Sequence, residues 1–284
     1  MTVLEVIKKS TEFLAGKGVE SPRLQAELLL AQVLGVPRMN LYLQFERVLA
    51  VEETDALREL VRRRGRREPL QHIVGSTSFC GLELAVNRHV LVPRPETELL
   101  AELGWQFLAA LNSEHATALD LGTGSGCLAV ALAVHCPAAR VWASDVSADA
   151  LAVARTNAAR QNVTDRIHFG QGDGFRALPP GTRFDLIASN PPYVPTAEIA
   201  ALEPEVRDYD PRPALDGGGD GLDFHRRIAA EAAAFLKPGG RLMLEFGDGQ
   251  SDALRAILEI QKWIVEAVRA DYSQRPRILV ARAG

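Results

Sequence analysis

Two stretches of the chain bring together residue types that could do chemistry. The first is Asp120-Leu121-Gly122-Thr123-Gly124-Ser125-Gly126, where three glycines lie between two apolar segments. Glycines at the end of a strand let a ligand approach the backbone closely, although the same residues would also make a plain tight turn. The spacing departs from three better-defined loops. A dinucleotide fingerprint needs glycine where Cys127 stands, a phosphate loop needs a Gly-Lys-Ser/Thr ending, and a nucleophile elbow needs glycines where Thr123 and Cys127 flank Ser125. What is left is a G-x-G-x-G loop accompanied by carboxylates. Asp120 precedes it, and Asp145 closes the next apolar segment, where a carboxylate can accept hydrogen bonds from both hydroxyls of a ribose. Asp173, after the third such segment, is placed to accept from an adenine amino group, with Phe175 or Ile167 offering apolar contact to the ring.

The second stretch is Ser189-Asn190-Pro191-Pro192-Tyr193. Consecutive prolines cannot continue a strand ladder, so they set a rigid turn that points Asn190 and Tyr193 into the same crevice. Such a turn suits a planar nitrogen. The lone pair of an amide or exocyclic amino nitrogen is delocalised, so this group needs placement more than it needs a strong base. The Asn190 carboxamide oxygen and the Pro191 carbonyl can accept its two N–H protons, and Tyr193 can stack on the planar group and exclude water. Positioning of this kind can supply about 7–11 kcal/mol of a barrier. A plain strand-ending turn is the alternative. The six histidines show neither catalytic nor metal spacing and read as structural, so no metal is expected.

Both stretches must lie at one edge of one sheet to act together. Strand-like segments at 117–121, 141–145, 167–171, 184–189 and 241–246 alternate with helical patterns at 128–134, 148–161 and 224–236. This alternation requires parallel strands joined by right-handed crossovers, a doubly wound α/β sheet with helices on both faces. Two more strand candidates, 263–268 and 277–281, are separated by a short turn and should pair antiparallel, which makes seven strands. Upstream, Val3, Ile7, Leu28, Leu29, Leu57, Leu60 and Val61 recur at helical spacing, punctuated by Gly16, Gly18, Gly35 and Pro37. His72, Ile73 and Val74, and then 79–86, look like short strands of a hairpin; after 93–98 a helix resumes with Leu99 and Leu100. The expected organisation is a helical domain over 1–70, a β-hairpin linker over 71–98 and the α/β domain over 99–284.

Composition removes several classes. With 47% hydrophobic residues the chain can bury a sizeable core, and a net charge of -4 argues against a surface that grips nucleic acid as a whole. Cys80, Cys127 and Cys136 form no C-x-x-C pair and are odd in number, so they read as reduced thiols rather than as a disulfide framework or a zinc site. The start, 1–21, carries charges and a helical pattern instead of a secretory signal, and no apolar run reaches about 18 residues. A cytoplasmic, monomeric protein without a membrane partner is expected.

The glycine loop with Asp120 and Asp145 resembles the class I S-adenosylmethionine-dependent methyltransferases, over about 117–284. The resemblance implies a Rossmann-like, mostly parallel seven-stranded sheet, a cofactor with its methyl on a sulfonium, and a ribose held by Asp145. Asn190 to Tyr193 is similar to the motif of members that act on adenine N6, guanine N2 or the glutamine side-chain amide. Further stretches narrow this choice: Glu68-Pro69-Leu70-Gln71-His72-Ile73-Val74-Gly75, Val90-Leu91-Val92-Pro93-Arg94-Pro95-Glu96-Thr97-Glu98, and Pro211-Arg212-Pro213-Ala214-Leu215-Asp216-Gly217-Gly218. They are similar to the glutamine N5-methyltransferases that act on class I peptide chain release factors.

That resemblance implies cofactor contacts at Gly122, Thr123, Gly124, Ser125, Gly126, Asp145, Asp173, Gly174, Phe175 and Asn190. It implies an acceptor glutamine, in a Gly-Gly-Gln loop, held by Asn190, Pro191, Pro192 and Tyr193, and a helical domain that helps dock the release factor. Two departures stand out: Gly174 replaces an aromatic beside the adenine, and Asp210 replaces a glutamate. The arginine run Arg62-Arg63-Arg64-Gly65-Arg66-Arg67 reads as a solvated helix end or as a docking patch for an acidic partner. Pro93-Arg94-Pro95-Glu96-Thr97-Glu98 would be a helix start, with Thr97 or Glu98 serving the first turn, or, as the resemblance implies, would line the cofactor cleft; Glu203, Glu205 and Asp210 would touch the partner or decorate a loop. Open alternatives are a ribosomal-protein glutamine methyltransferase, a nucleic-acid amino methyltransferase and a non-catalytic nucleotide-binding protein. The acidic balance disfavours a direct nucleic-acid substrate.

Overall fold

The computed structural model describes residues 1–284, which fall into two compact units: 1–75 with 203–209, and 76–202 with 210–284. No helix is long and apolar enough to cross a membrane.

The first unit holds α1 (Val3–Ala15), α2 (Pro22–Leu34), α3 (Val51–Gly65), α4 (Leu70–Val74) and the helical turn Pro204–Arg207. Thr2 starts α1 with a reciprocal cap: its Oγ1 accepts from the Glu5 amide (3.2 Å) and its own amide donates to Glu5 Oε2 (2.9 Å). The apolar faces meet in a core of Val3, Ile7, Leu14, Leu29, Leu30 and Leu57. Residues 71–74 are helical, contrary to the strand expected there. Pro69 presets the entry and Gly75 leaves the turn at φ +80°, so a single helical turn forms despite the β-branched Ile73 and Val74. The arginine run is only partly solvated. Arg64 is 3% exposed and donates to Glu205 (2.6 Å), Arg67 donates to Glu205 (2.6 Å) and Glu203 (3.0 Å), and Arg63 pairs with Glu68, which leaves Arg62 and Arg66 outward. Glu203 and Glu205 are thus internal partners of this unit.

In the second unit a hairpin, β1 (Ser76–Phe79) and β2 (Leu82–Ala85), precedes α5 (Pro95–Ala110). Then come β3 (Thr117–Leu121), α6 (Cys127–His135), β4 (Arg140–Asp145), α7 (Ala148–Arg160), β5 (Ile167–Gln171) and β6 (Phe184–Ser189). α8 (Asp223–Glu231), β7 (Leu236–Glu245), α9 (Ser251–Ile260), β8 (Trp263–Ala270) and β9 (Pro276–Ala283) complete it. The sheet order is β5-β4-β3-β6-β7-β9-β8, with only β9 antiparallel to its neighbours.

Successive strand residues alternate between two cores. Ala118, Leu186 and Ala188 face α5, α6 and α7 with Leu100, Leu132 and Ala158; Leu119, Ile187 and Leu244 face α8 and α9 with Ile228, Leu254 and Leu258. Burial on both faces explains why the central strands read as unbroken apolar runs. β7 begins five residues before the expected Arg241: Leu236 pairs with Phe184, the register then shifts, and Arg241 pairs with Leu186. Pro238-Gly239-Gly240 reads as a turn in sequence but is accommodated as an irregularity inside the strand. α5 starts at Pro95, with proline in the first turn where its missing N–H costs nothing.

Candidate active site

The strand order reverses between β3 and β6, which run parallel as neighbours, so their carboxyl ends open a crevice. Ser189 Oγ donates to the Leu121 carbonyl (2.6 Å) and locks the two ends together. A cavity of about 330 Å³ opens there. Asp120 to Ser125 of the glycine loop, Asp145, Asp173 to Phe175, and Asn190 to Pro192 all line it.

Gly122, Gly124 and Gly126 have φ of +76°, +54° and +78°, a region that strains any side chain. They serve two purposes. A Cβ on Gly122 or Gly124 would meet nothing within 4 Å, so these residues leave room for a ligand. A Cβ on Gly126 would come within 2.8 Å of Ala154 Cβ, so this glycine lets the loop pack on α7, and it does not line the cavity. Asp145 is oriented before any ligand arrives: Oδ2 accepts from the Gly124 amide (2.8 Å) and Oδ1 from the Ser147 amide (2.9 Å). Asp120 accepts from Thr123 Oγ1 (2.5 Å) and the Ala129 amide (3.0 Å), and burial pushes its carboxyl up to about 7.

The adenine-side residues are arranged differently from expectation. Asp173 lines the cavity but pairs with Arg227 (2.8 Å). Phe175 also lines the cavity but is 5% exposed and stacks on Phe235 at 4.7 Å between centroids. Ile167 pairs with Val141 at the far end of its strand, inside the core, and does not reach the cavity. Val146, which sequence reasoning passed over, is 62% exposed and lines the cavity directly after Asp145. An apolar residue immediately after a strand-end acid was the available signal.

At the proline turn, Asn190 Nδ2 donates to Thr97 Oγ1 (3.0 Å), and no protein donor reaches its Oδ1. Thr97 in turn donates to Glu245 Oε2 (2.7 Å) at the end of β7; its hydroxyl is therefore not a helix cap. Glu98 caps nothing either and accepts from the Cys80 amide (2.9 Å). Pro191 and Pro192 line the cavity, but Tyr193 is not among its lining residues. Tyr193 Oη lies 3.4 Å from Glu245 Oε1, and its ring is so close to Gly247 that a Cβ there would sit 3.1 Å from it. Burial raises the Tyr193 phenol, and burial with help from Glu96 pushes Glu245 up to about 7, against the Thr97 and Tyr193 hydrogen bonds and Arg277.

Arg94, also on the cavity wall, donates to the buried Asp210 (2.5 Å), whose carboxyl burial pushes up to about 6 even so. Of the histidines, His89 lines the cavity, while His225 is fully buried, bonds the Glu245 carbonyl through Nε2 (2.9 Å) and is driven by burial down to about 4, hence neutral at pH 7. Thr97, Glu245 and Arg94 with Asp210 form the part of the site that sequence reasoning did not assemble. Glu245 had left a trace, a lone acid in Leu242-Met243-Leu244-Glu245-Phe246.

Open backbone at Gly122 and Gly124 beside the pre-oriented Asp145 fits S-adenosylmethionine, whose methionyl and ribosyl ends need close backbone approach and a paired acceptor. Around this strand order, that fit makes the chain a class I S-adenosylmethionine-dependent methyltransferase. Two family models match it, PrmC N-terminal domain over residues 5–75 and Methyltransferase small domain over residues 103–202. The chain is 48% identical over 254 residues to a release factor glutamine methyltransferase of Geobacter sulfurreducens, covering 89% of this chain and 87% of that one. A protein of the same name from Cereibacter sphaeroides is 41% identical over 282 residues, 99% of each chain. Among solved structures, a methyltransferase from Pyrococcus furiosus superimposes with a TM-score of 0.54 at 21% identity, covering 78% of this chain and 98% of that one, which bears on fold alone. The chain belongs to the release factor glutamine methyltransferase family.

Proposed function

We propose that this chain methylates the side-chain amide nitrogen of the glutamine in the Gly-Gly-Gln loop of class I peptide chain release factors, with Asn190 as the residue that holds the acceptor. The observation that carries this reading is the orientation of Asn190: its Nδ2 is occupied by Thr97 while its Oδ1 has no protein donor at a cavity wall that Pro191 and Pro192 continue. An acceptor-only face of this kind suits an N–H donor. Family membership supports glutamine in a release factor as that donor.

Gly122, Gly124 and Asp145 would hold S-adenosylmethionine, with Val146 against the adenine. That group supplies a methyl on a sulfonium, which needs no covalent intermediate on the protein. The chain's own residues bind and orient. Asn190 Oδ1 and the Pro191 carbonyl accept the two amide protons, which fixes the plane of the nitrogen and directs its lone pair into the cavity. As the N–C bond forms, the methyl's bond to sulfur would break with its electron pair left on sulfur as a neutral thioether, and the nitrogen would shed one proton to water, because a protonated amide is strongly acidic. Tyr193 acts from behind this turn, through its contact with Glu245, and not as a stacking platform on the cavity wall. The helical unit supports docking, with Met39, Leu43, Val48 and Val51 all strongly exposed.

The test incubates the protein with labelled S-adenosylmethionine and, separately, a purified release factor, its Gln-to-Ala loop variant, ribosomes and DNA. Label on the release factor that disappears in the variant is expected. Label on ribosomes or DNA alone refutes the assignment.

A further inference from the structure

Three elements far apart in sequence converge behind the acceptor turn: the first turn of α5, the end of β7 and the residue after β6. They meet as a chain of hydrogen bonds, Asn190 Nδ2 to Thr97 Oγ1 (3.0 Å) and Thr97 Oγ1 to Glu245 Oε2 (2.7 Å). Thr97 is 2% exposed and Glu245 is fully buried, so neither can exchange its partner for water. We propose that Thr97 and Glu245 are positioning residues that fix which end of the Asn190 carboxamide faces the acceptor; this rests on the reading of Asn190 given above.

A carboxamide is nearly symmetric in shape, and nothing steric stops Asn190 from turning over to present its NH₂ to the cavity. In that orientation it would oppose the N–H of an incoming amide, donor against donor. Thr97 decides the matter because a hydroxyl has a single proton. An ionised Glu245 carboxylate only accepts, so the Thr97 proton must point at it and the oxygen can then only accept from Asn190. The Asn190 NH₂ is therefore drawn inward and Oδ1 is left outward. His225 holds the backbone under Glu245 through the residue's carbonyl, and Gln250 Nε2 donates to the Tyr193 carbonyl (2.9 Å), so both ends of the relay rest on fixed main chain.

Thr97→Val keeps the shape and removes the proton relay; Thr97→Ser restores the hydroxyl. At pH 8, where Glu245 is ionised, Thr97→Val should lower kcat by about 10- to 100-fold, while KM for the release factor and the affinity for S-adenosylhomocysteine change little. Thr97→Ser should recover most of kcat. Equal loss in the valine and serine variants would overturn the proposal, since the methyl group and not the hydroxyl would then matter. So would a valine variant at wild-type kcat alongside an inactive Asn190→Ala. A fully active Asn190→Ala would instead remove the reading of Asn190 on which the relay depends. Calorimetric cofactor binding and the melting temperature, recorded on each variant, separate lost positioning from lost folding: a kcat deficit that tracks lost cofactor binding also counts against the relay.

Discussion

The three glycines of the loop share one backbone conformation but should respond differently to alanine, and this is where the division between ligand space and packing can be measured. At Gly124, φ is +54° and an added methyl meets no protein atom within 4 Å. The folded chain would bear only the left-handed strain, about 1 kcal/mol, which for a unit of this size lowers the melting temperature by about 2–4 °C. The methyl would, however, stand in the cavity beside the amide that orients Asp145. At Gly126 the same strain is joined by a 2.8 Å approach to Ala154 Cβ and 3.0 Å to its Cα, where backbone cannot easily give way. Overpacking of that kind adds about 1–3 kcal/mol, so the loss should total about 2–4 kcal/mol, or roughly 5–15 °C. Thermal unfolding and calorimetric titration with S-adenosylhomocysteine would be run on both variants. Gly124→Ala should melt near wild type and bind the ligand at least about tenfold more weakly; Gly126→Ala should melt far lower and, at a temperature where it is folded, bind more nearly like wild type. Unimpaired binding by Gly124→Ala would refute the claim that the ligand occupies the space under this loop.

Two further outcomes can be checked on the same preparations. Asp145→Asn keeps the size but turns one acceptor into a donor facing an amide, so binding of S-adenosylhomocysteine should weaken by about 10- to 100-fold with little change in melting temperature. Glu245 has its folded pKa raised to about 7 from 4.5, so the folded state binds the proton more tightly than the unfolded one. Its burden on stability is absent below about pH 4.5 and complete above about pH 7, amounting to at most about 3 kcal/mol. Glu245→Gln should therefore melt higher than wild type at pH 8, with the gap closing toward pH 5; a gap that widens on acidification would refute the sign.

Much of this fold was legible because both sheet faces are buried. β3 and β6 run over 117–121 and 184–189, the bounds expected from sequence, since a strand covered on both sides is a short apolar run ended by polar or glycine residues. The glycine loop was legible for a related reason: few requirements other than positive φ and close approach call for three glycines at alternate positions. Where local preference and tertiary setting disagreed, the reading failed. Ile73 and Val74 favour a strand by propensity, yet Pro69 and Gly75 enclose a length that closes as one helical turn. Pro238-Gly239-Gly240 has the composition of a turn, yet β6 on one side carries β7 through it.

The polar half of the site was illegible for a different reason. A buried charge or hydroxyl is tolerated only with a partner, and the partner can come from anywhere in the chain. Thr97 and Glu245 are 148 residues apart, Arg94 and Asp210 are 116 apart, and Arg64 and Glu205 are 141 apart. Periodicity describes a helix face or a strand face but says nothing about what closes over it. The arginine run makes the point most clearly, because Arg62 and Arg64 have identical propensities and sit on the same helix, and Arg64 alone meets acceptors that close over it: Gln25 from α2, the Glu68 carbonyl, and Glu205 from the 203–209 segment. Counting such runs as docking patches therefore overstates the free charge of a surface. Here the exposed members are Arg62 and Arg66, so the run adds two outward cations to its unit, while the proposed site chemistry rests on oriented acceptors, the Asn190 carboxamide oxygen and the Asp145 carboxylate, rather than on cations.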